Sequence, residues 1–264
     1  MQFIKQVFPP FIYDFLRVGP FRRYGWFGNY KNWEQALEES DGYDSKVIAE
    51  KVKEATLKVK TGEAVHERDS VLFKRIVYDW PVLSGLLWVA SQNRGNLNVI
   101  DFGGSMGTTY WQNRRFFQAL PSLRWNIIEQ ERFVERGKEL FEDERLKFYL
   151  DLESCLKESK PNVVVISGVL QYIKEPYQLL STIAGFKIDY LIISILPFTT
   201  GKQDRLTIQK VPPYIYKASY PAWFFSEEKF LKFIKEHYEM VEEFDCGLKL
   251  NLRSSVKGLI LKLK

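Results

Sequence analysis

The chain has 264 residues, 45% hydrophobic and 27% charged, which is the make-up of a folded protein with a full core and excludes a disordered chain. A net charge of +5 is mild and dispersed, so the balance gives no footprint for nucleic acid. The only cysteines (Cys155, Cys246) and histidines (His66, His237) lack metal-ligand spacing; no metal is expected, and isolated thiols suit a reducing cytoplasm.

No apolar run reaches transmembrane length, and the N-terminus has no signal-peptide pattern. The first 27 residues are dense in aromatics, among them Phe3, Phe8, Phe11, Tyr13, Phe15 and Phe21, interleaved with Lys5, Arg17, Arg22 and Arg23. Such a segment either rests peripherally on a membrane or packs on its own domain or a partner; Pro9, Pro10 and Pro20 break any long amphipathic helix and favour packing. Asn32 and Gln35 form a capping box for a helix reaching about Ser40. A second helix starts near Ser45, carries Ile48, Val52, Ala55 and Val59 on one face and stops at Gly62. A third is expected from about Asp69, burying Val71, Phe73, Ile76, Trp80 and Leu83, kinked or divided at Pro81 and ended by Asn93-Arg94-Gly95. Residues 1–93 therefore read as a helical N-terminal region packed on the unit that follows.

From residue 94 the chain alternates strand and helix, the pattern of an α/β domain with a mostly parallel sheet covered on both faces. Strands are expected at 97–100, 124–128, 146–150, 162–167 and 190–196, with helices at 108–120, 132–141 and 176–184. The run at 162–167 is the most apolar, as a central strand should be. Residues 197–225 read as an irregular, aromatic, lid-like insertion. Ser226 then caps a helix through His237, and 239–244 with 256–263 form a terminal antiparallel hairpin. The expected fold class is α/β, with a Rossmann-like seven-stranded sheet.

The first of these strands runs into Asp101-Phe102-Gly103-Gly104-Ser105-Met106-Gly107 and a helix start. Strand, glycine turn and helix N-terminus together make a nucleotide-binding corner. No register of the three glycines supplies Gly-x-Gly-x-x-Gly, which disfavours a nicotinamide oxidoreductase. The acid followed by Gly103, Ser105 and Gly107 at steps of two resembles the first motif of class I S-adenosylmethionine-dependent methyltransferases, with Ser105 in the middle glycine's place. Glu129, at the end of the next strand, can accept both ribose hydroxyls of a bound nucleoside, or is a solvated strand-end charge. Asp151 meets an adenine amino group or caps the helix at 153–158. Ser167 and Gly168 bring the fourth strand's turn to the same sheet edge.

These signals occur at successive strand ends in order, and residues 97–263 resemble class I methyltransferases. Further stretches extend the likeness to a methyltransferase family often associated with bacterial surface-polysaccharide genes: Phe27-Gly28-Asn29-Tyr30 with Trp33 and Ala36, Gly42-Tyr43-Asp44, Glu67-Arg68-Asp69-Ser70 and Ala218-Ser219-Tyr220-Pro221. The resemblance implies S-adenosyl-L-methionine as cofactor and a small-molecule or carbohydrate-linked acceptor methylated at oxygen. The alternative is a cofactor-binding scaffold in a glycan-assembly complex. Arg68 either pairs with the cofactor's methionine carboxylate or with neighbouring Glu67 or Asp69. Tyr43 lies over the adenine or in the core. Tyr172, Tyr220 and His66 are the candidate bases, His66 being expected at the surface. Arg205, Tyr216, Tyr220 and Trp223 are the candidate acceptor contacts, Arg205 with Lys202 and Lys210 holding an anionic part.

Overall fold

The computed structural model describes residues 23–42, 45–213 and 215–264; the aromatic segment before Arg23, together with Tyr43, Asp44 and Tyr214, lies outside the described residues. The α/β frame begins with β4 (Asn96–Phe102) at its centre. Parallel to it run β5 (Ser122–Ile128) and β6 (Leu146–Tyr149) on one side, β7 (Val163–Ser167) and β8 (Tyr190–Thr199) on the other. β12 (Ser254–Leu263) joins β8 antiparallel and carries β11 (Tyr238–Asp245), giving the order β6-β5-β4-β7-β8-β12-β11. The chain leaves β4 towards β5, then crosses back to β7, so the strand order reverses between β4 and β7. Ligand crevices open outside the carboxyl ends of strands at such a reversal.

Alternating side chains of the central strands feed two apolar layers. Val99, Val163, Val165 and Ile192 face one layer; Ile100, Val164, Ile166, Leu191 and Ile193 face the other. The first layer is closed by α2 (Ser45–Thr61), α3 (Trp80–Gln92), α4 (Thr108–Phe117) and α5 (Glu131–Leu140). The second is closed by α6 (Leu152–Glu158), α7 (Pro176–Gly185) and α8 (Glu227–His237). Asn32 caps α1 (Trp33–Glu38) as its spacing predicts, accepting from Gln35 N at 2.9 Å. No helix among the described residues is long and apolar enough to cross a membrane.

Three expectations are corrected. All seven expected strands form, and the sheet gains three more among the described residues: β9 (Arg205–Lys210) and β10 (Ser219–Ser226) form an antiparallel hairpin, and β1 (Gly25–Tyr30) adds to the free edge of β9. Residues 197–225 are thus a sheet extension rather than an irregular lid. Phe225 and Ser226 pair with Phe198 and Thr199, beyond the point where β7 stops, so the extension continues the sheet past its carboxyl edge. Leu206 and Ile208 lock it against Ala36 of α1. The N-terminal region is accordingly not helical throughout, since its β1 belongs to this sheet.

The third correction concerns residues 69–79. Their apolar residues fit a helical period, but His66–Arg68 and Val71–Phe73 are the strands β2 and β3 of a hairpin. Asp69 and Ser70 turn it with φ of 50° and 64°, the left-handed pair of a two-residue turn. Phe73 and Trp80 are exposed rather than buried. The helix starts only after Asp79, whose carboxylate accepts from Val82 N at 3.3 Å and from the Ser194 hydroxyl at 3.2 Å. Pro81 sits in the first turn, where its missing N–H costs nothing. Asp79→Ala removes both bonds; a cap loss of about 1 kcal/mol should lower the melting temperature by roughly 2–4 °C in thermal unfolding. Asp79→Asn, which keeps the capping oxygen, should recover most of that loss.

Candidate functional site

The turn from β4 into α4 is shaped by four residues. Gly103 has φ of +71° and donates to Ile128 O at 2.8 Å, tying the turn to β5. A Cβ on Gly104 would lie 2.5 Å from Asp101 Cγ and 2.7 Å from its Oδ2, so only glycine lets the chain pass over that carboxylate. Ser105 takes a left-handed φ of 56°, and Gly107, φ 90°, caps α4. Asp101 is buried beneath the turn and accepts from Trp125 Nε1 at 2.9 Å. Burial pushes its carboxyl up to about 7 against the indole bond, and the Glu129 charge adds to the rise.

Glu129 leaves the end of β5 beside the turn. Its Oε1 accepts from Ser105 N at 3.3 Å and its Oε2 from Gln130 N at 2.8 Å, while desolvation raises its pKa. On the far side of α4's start, Thr108 donates to Oε1 of Glu67, a buried carboxyl pushed up to about 7 by desolvation and left without a partner at Oε2. This bond pins the β2–β3 hairpin to the glycine turn. Past β7, Gly168 takes a φ of +69° and the chain enters a 3-10 turn, Leu170–Tyr172.

A cleft of about 1210 Å³ opens across the carboxyl ends of β4, β5 and β7. One lobe is lined by Gly103, Gly104, Ser105, Glu129, Leu150 and Asp151; the other by Trp26, Trp33, Asp69, Tyr172, Gln209, Tyr216 and Tyr220. Arg68, Asp101, Ser167 and Gly168 also line it. Arg68 forms no ion pair with Glu67 or Asp69, while Asp151 caps α6 by accepting from Ser154 N at 2.7 Å and still borders the cleft. These backbone and side-chain bonds of Ser154 hold the Asp151 carboxyl below its usual range.

The lobe beneath β9 and β10 differs from expectation. Arg205 donates from Nε (3.0 Å) and Nη2 (2.7 Å) to Gly28 O, and Lys210 lies over the Phe27 ring, so both cations brace β1 outside the cleft. Trp223 packs outside it on Trp33, ring centroids 6.2 Å apart. His66 is buried against Phe73, outside the cleft, and desolvation depresses its pKa to about 4. Tyr172 donates to Gln209 Oε1 at 2.6 Å and meets Tyr220 edge-on, centroids 5.2 Å apart. Burial raises Tyr172 and Tyr220 far above an ordinary phenol and Tyr216 to about 12. Such phenols keep their protons at neutral pH and donate hydrogen bonds; they do not take protons as bases.

Trp26 and Gln209 enter the lining beyond the residues singled out by pattern, and Asp69, named in the sequence only within the stretch Glu67-Arg68-Asp69-Ser70 and as a partner for Arg68, enters it too. Ile195 lines the cleft too, at an unusual φ of +60° for a branched side chain. It sits in a β-bulge where Ser194 and Ile195 oppose Gly258, and bulges of this kind re-aim side chains next to sites. Of the described cleft-lining residues only Arg68 is basic, against Asp69, Asp101, Glu129, Asp151 and Glu153. No group of three or more His, Cys, Asp or Glu among the described residues is placed to hold a metal ion.

No family model and no curated protein matches the chain. Solved structures similar to it include magnesium protoporphyrin IX methyltransferase from Synechocystis PCC 6803 with bound SAH, at 15% identity over 70% of this chain and 82% of that one, TM-score 0.47. The N-terminal domain of EvdMO1 in the presence of SAH and D-fucose shows 12% identity over 84% and 98%, TM-score 0.49. The glycopeptide N-methyltransferase MtfA complexed with SAM shows 9% identity over 69% and 93%, TM-score 0.48. Identities this low assign no activity, and the fold rests on the strand order described above.

The buried acids give the site a pH signature. Asp101 and Glu67 have folded-state pKa values raised above their unfolded ones, so each binds its proton more readily in the fold. Their contribution is complete below the unfolded pKa near 4 and is lost as pH rises through about 7. Stability measured by denaturant unfolding should therefore fall between about pH 4 and pH 7, and Asp101→Asn, which keeps an acceptor for Trp125, should flatten part of that fall. Gly104→Ala should displace Asp101 from the indole and cost about 1–3 kcal/mol in the same assay.

Proposed function

We propose that the protein is an S-adenosylmethionine-dependent methyltransferase acting on a hydroxyl of a small or carbohydrate-linked acceptor. The observation that carries this reading is the joining of the Gly103–Gly107 turn, at the carboxyl end of β4, to Glu129, at the end of the neighbouring β5, through the Ser105 N–H.

The residues present fit the cofactor. Glu129 receives one N–H on each oxygen, and a carboxylate has acceptor capacity for about four bonds, so two vicinal ribose hydroxyls can be accepted there. Leu150 is 56% exposed and lines the same lobe, an apolar surface of the kind a purine covers. Arg68, which forms no ion pair with the described residues, also lines the cleft and is a cation suited to a methionine carboxylate. When bound, S-adenosylmethionine supplies a methyl group activated on a sulfonium sulfur. The chain's part is to hold the acceptor in line and to exclude water. The β9–β10 hairpin and β1 wall the lobe with Trp26, Gln209 and Tyr220, while Tyr172, already donating to Gln209, and Tyr220 present neutral phenols rather than charge. A wall of aromatic faces and amides suits a sugar ring, and the likeness to a family associated with surface-polysaccharide genes supports a carbohydrate-linked acceptor.

S-adenosylhomocysteine at 100 times its dissociation constant should stabilise the fold by about 2.7 kcal/mol, a melting shift of roughly 5–10 °C, with no shift from NAD. Glu129→Ala should remove most of the shift and leave the melting temperature of the unliganded protein nearly unchanged. A wild-type protein indifferent to millimolar S-adenosylhomocysteine would overturn the reading.

A further inference from the structure

We infer that Asp69 is the catalytic base of this site, the group that takes the proton of the acceptor hydroxyl as the methyl group arrives. The inference rests on the methyl-transfer reading above.

Asp69 is carried into the cleft on the two-residue turn of the β2–β3 hairpin, next to Arg68. The hairpin is fixed to the start of α4 by the Thr108–Glu67 bond, so the turn keeps a set position relative to the glycine turn. Across the lobe stand Tyr172, Tyr216 and Tyr220, and the charge of Asp69 reaches all three phenols, contributing to their raised pKa values. Tyr172 lies four residues after Gly168, at the carboxyl edge of β7, so the lobe opens directly onto the cofactor turns. Asp69 accepts no hydrogen bond from the described residues, which leaves its oxygens for a ligand, and its outer surface at the hairpin turn is exposed, although the carboxyl is desolvated by the cleft around it. Two buried polar atoms without a protein partner, Trp26 Nε1 and Gln171 Oε1, belong to residues lining the same lobe.

The other candidates fail on chemistry. The phenols hold their protons, His66 lies outside the cleft, and Asp101 and Glu129 are engaged beneath and beside the glycine turn. Desolvation raises the Asp69 carboxyl above the usual carboxylate range, which makes it a better proton acceptor, and Arg68 opposes the rise. In the step, the acceptor oxygen bonds to the methyl carbon while the methyl–sulfur bond breaks and its electron pair returns to sulfur as a neutral thioether. The hydroxyl proton passes to Asp69, whose exposed outer surface returns it to bulk solvent after transfer.

A base at the point of transfer also lies beside the sulfonium position, and this can be read without an acceptor. Sinefungin carries an ammonium group where the methyl-sulfonium would stand, whereas S-adenosylhomocysteine is neutral there. Calorimetric titration of both ligands into the full chain and into Asp69→Asn gives their affinity ratio. Asparagine tolerates the left-handed backbone of the turn, so the variant should fold. Loss of a charge-assisted bond should cut the preference for sinefungin over S-adenosylhomocysteine by about tenfold, with S-adenosylhomocysteine affinity unchanged. An unchanged ratio overturns the role of Asp69, as does loss of both ligands by the variant alone. Failure of the wild type to bind either ligand overturns the methyl-transfer reading itself, and this inference with it.

Discussion

Asp101 is the pivot of the structure. It is a carboxylate buried under the first turn of the sheet, held by one indole N–H from Trp125 and covered by a glycine that leaves no room for a Cβ. Burying a carboxyl is tolerable only when it is hydrogen-bonded or protonated, and this one is bonded once and pushed up to about 7. Its place sets the height of Gly104, hence the path of the turn, hence where α4 begins. From the start of α4 the constraint passes through Thr108 to Glu67 and so to the hairpin that carries Arg68 and Asp69. Residues far apart in the chain are thereby held against one another at one mouth.

The second determinant is the sheet extension. β1, β9 and β10 prolong the sheet beyond the end of β7, over the edge where an open α/β fold leaves its crevice exposed. The outer strand keeps two cations out of the cleft, because Arg205 is engaged by Gly28 O and Lys210 by the Phe27 ring, which leaves Arg68 among the described lining residues. What lines the lobe beneath β9 and β10 instead is aromatic and amide, with Asp69 as its carboxylate. An acidic cleft complements a sulfonium cation and disfavours an acceptor whose phosphate must enter it.

The sequence by itself determined the central architecture. Runs of branched apolar residues at 97–100 and 162–167 can be satisfied only in strands buried on both faces; the first lies within β4 and the second covers β7. The order of turns at the strand ends, from Asp101 through Glu129 and Asp151 to Gly168, follows from chain order alone once the sheet is parallel, and all four line one cleft. Caps at Asn32 and Asp151 are local interactions within four residues, so short-range pattern is enough to place them.

Only the tertiary structure decided the rest, because the deciding partners are distant in sequence. Residues 69–83 fit a helical period as well as a hairpin followed by a loop; the choice falls to Glu67, whose partner Thr108 is 41 residues away. β1 is a strand because β9, about 180 residues further on, offers it an edge. Arg205 looks like an anion anchor until Gly28 O, 177 residues away, takes two of its donors. His66 looks exposed among charged neighbours, but pairing in the β2–β3 hairpin sets it against Phe73 and buries it. Hydrophobic period and turn chemistry act over a few residues and are written in the chain. Which edge receives a strand, and which charge is left facing a cleft, depend on contacts that exist only once the chain has folded.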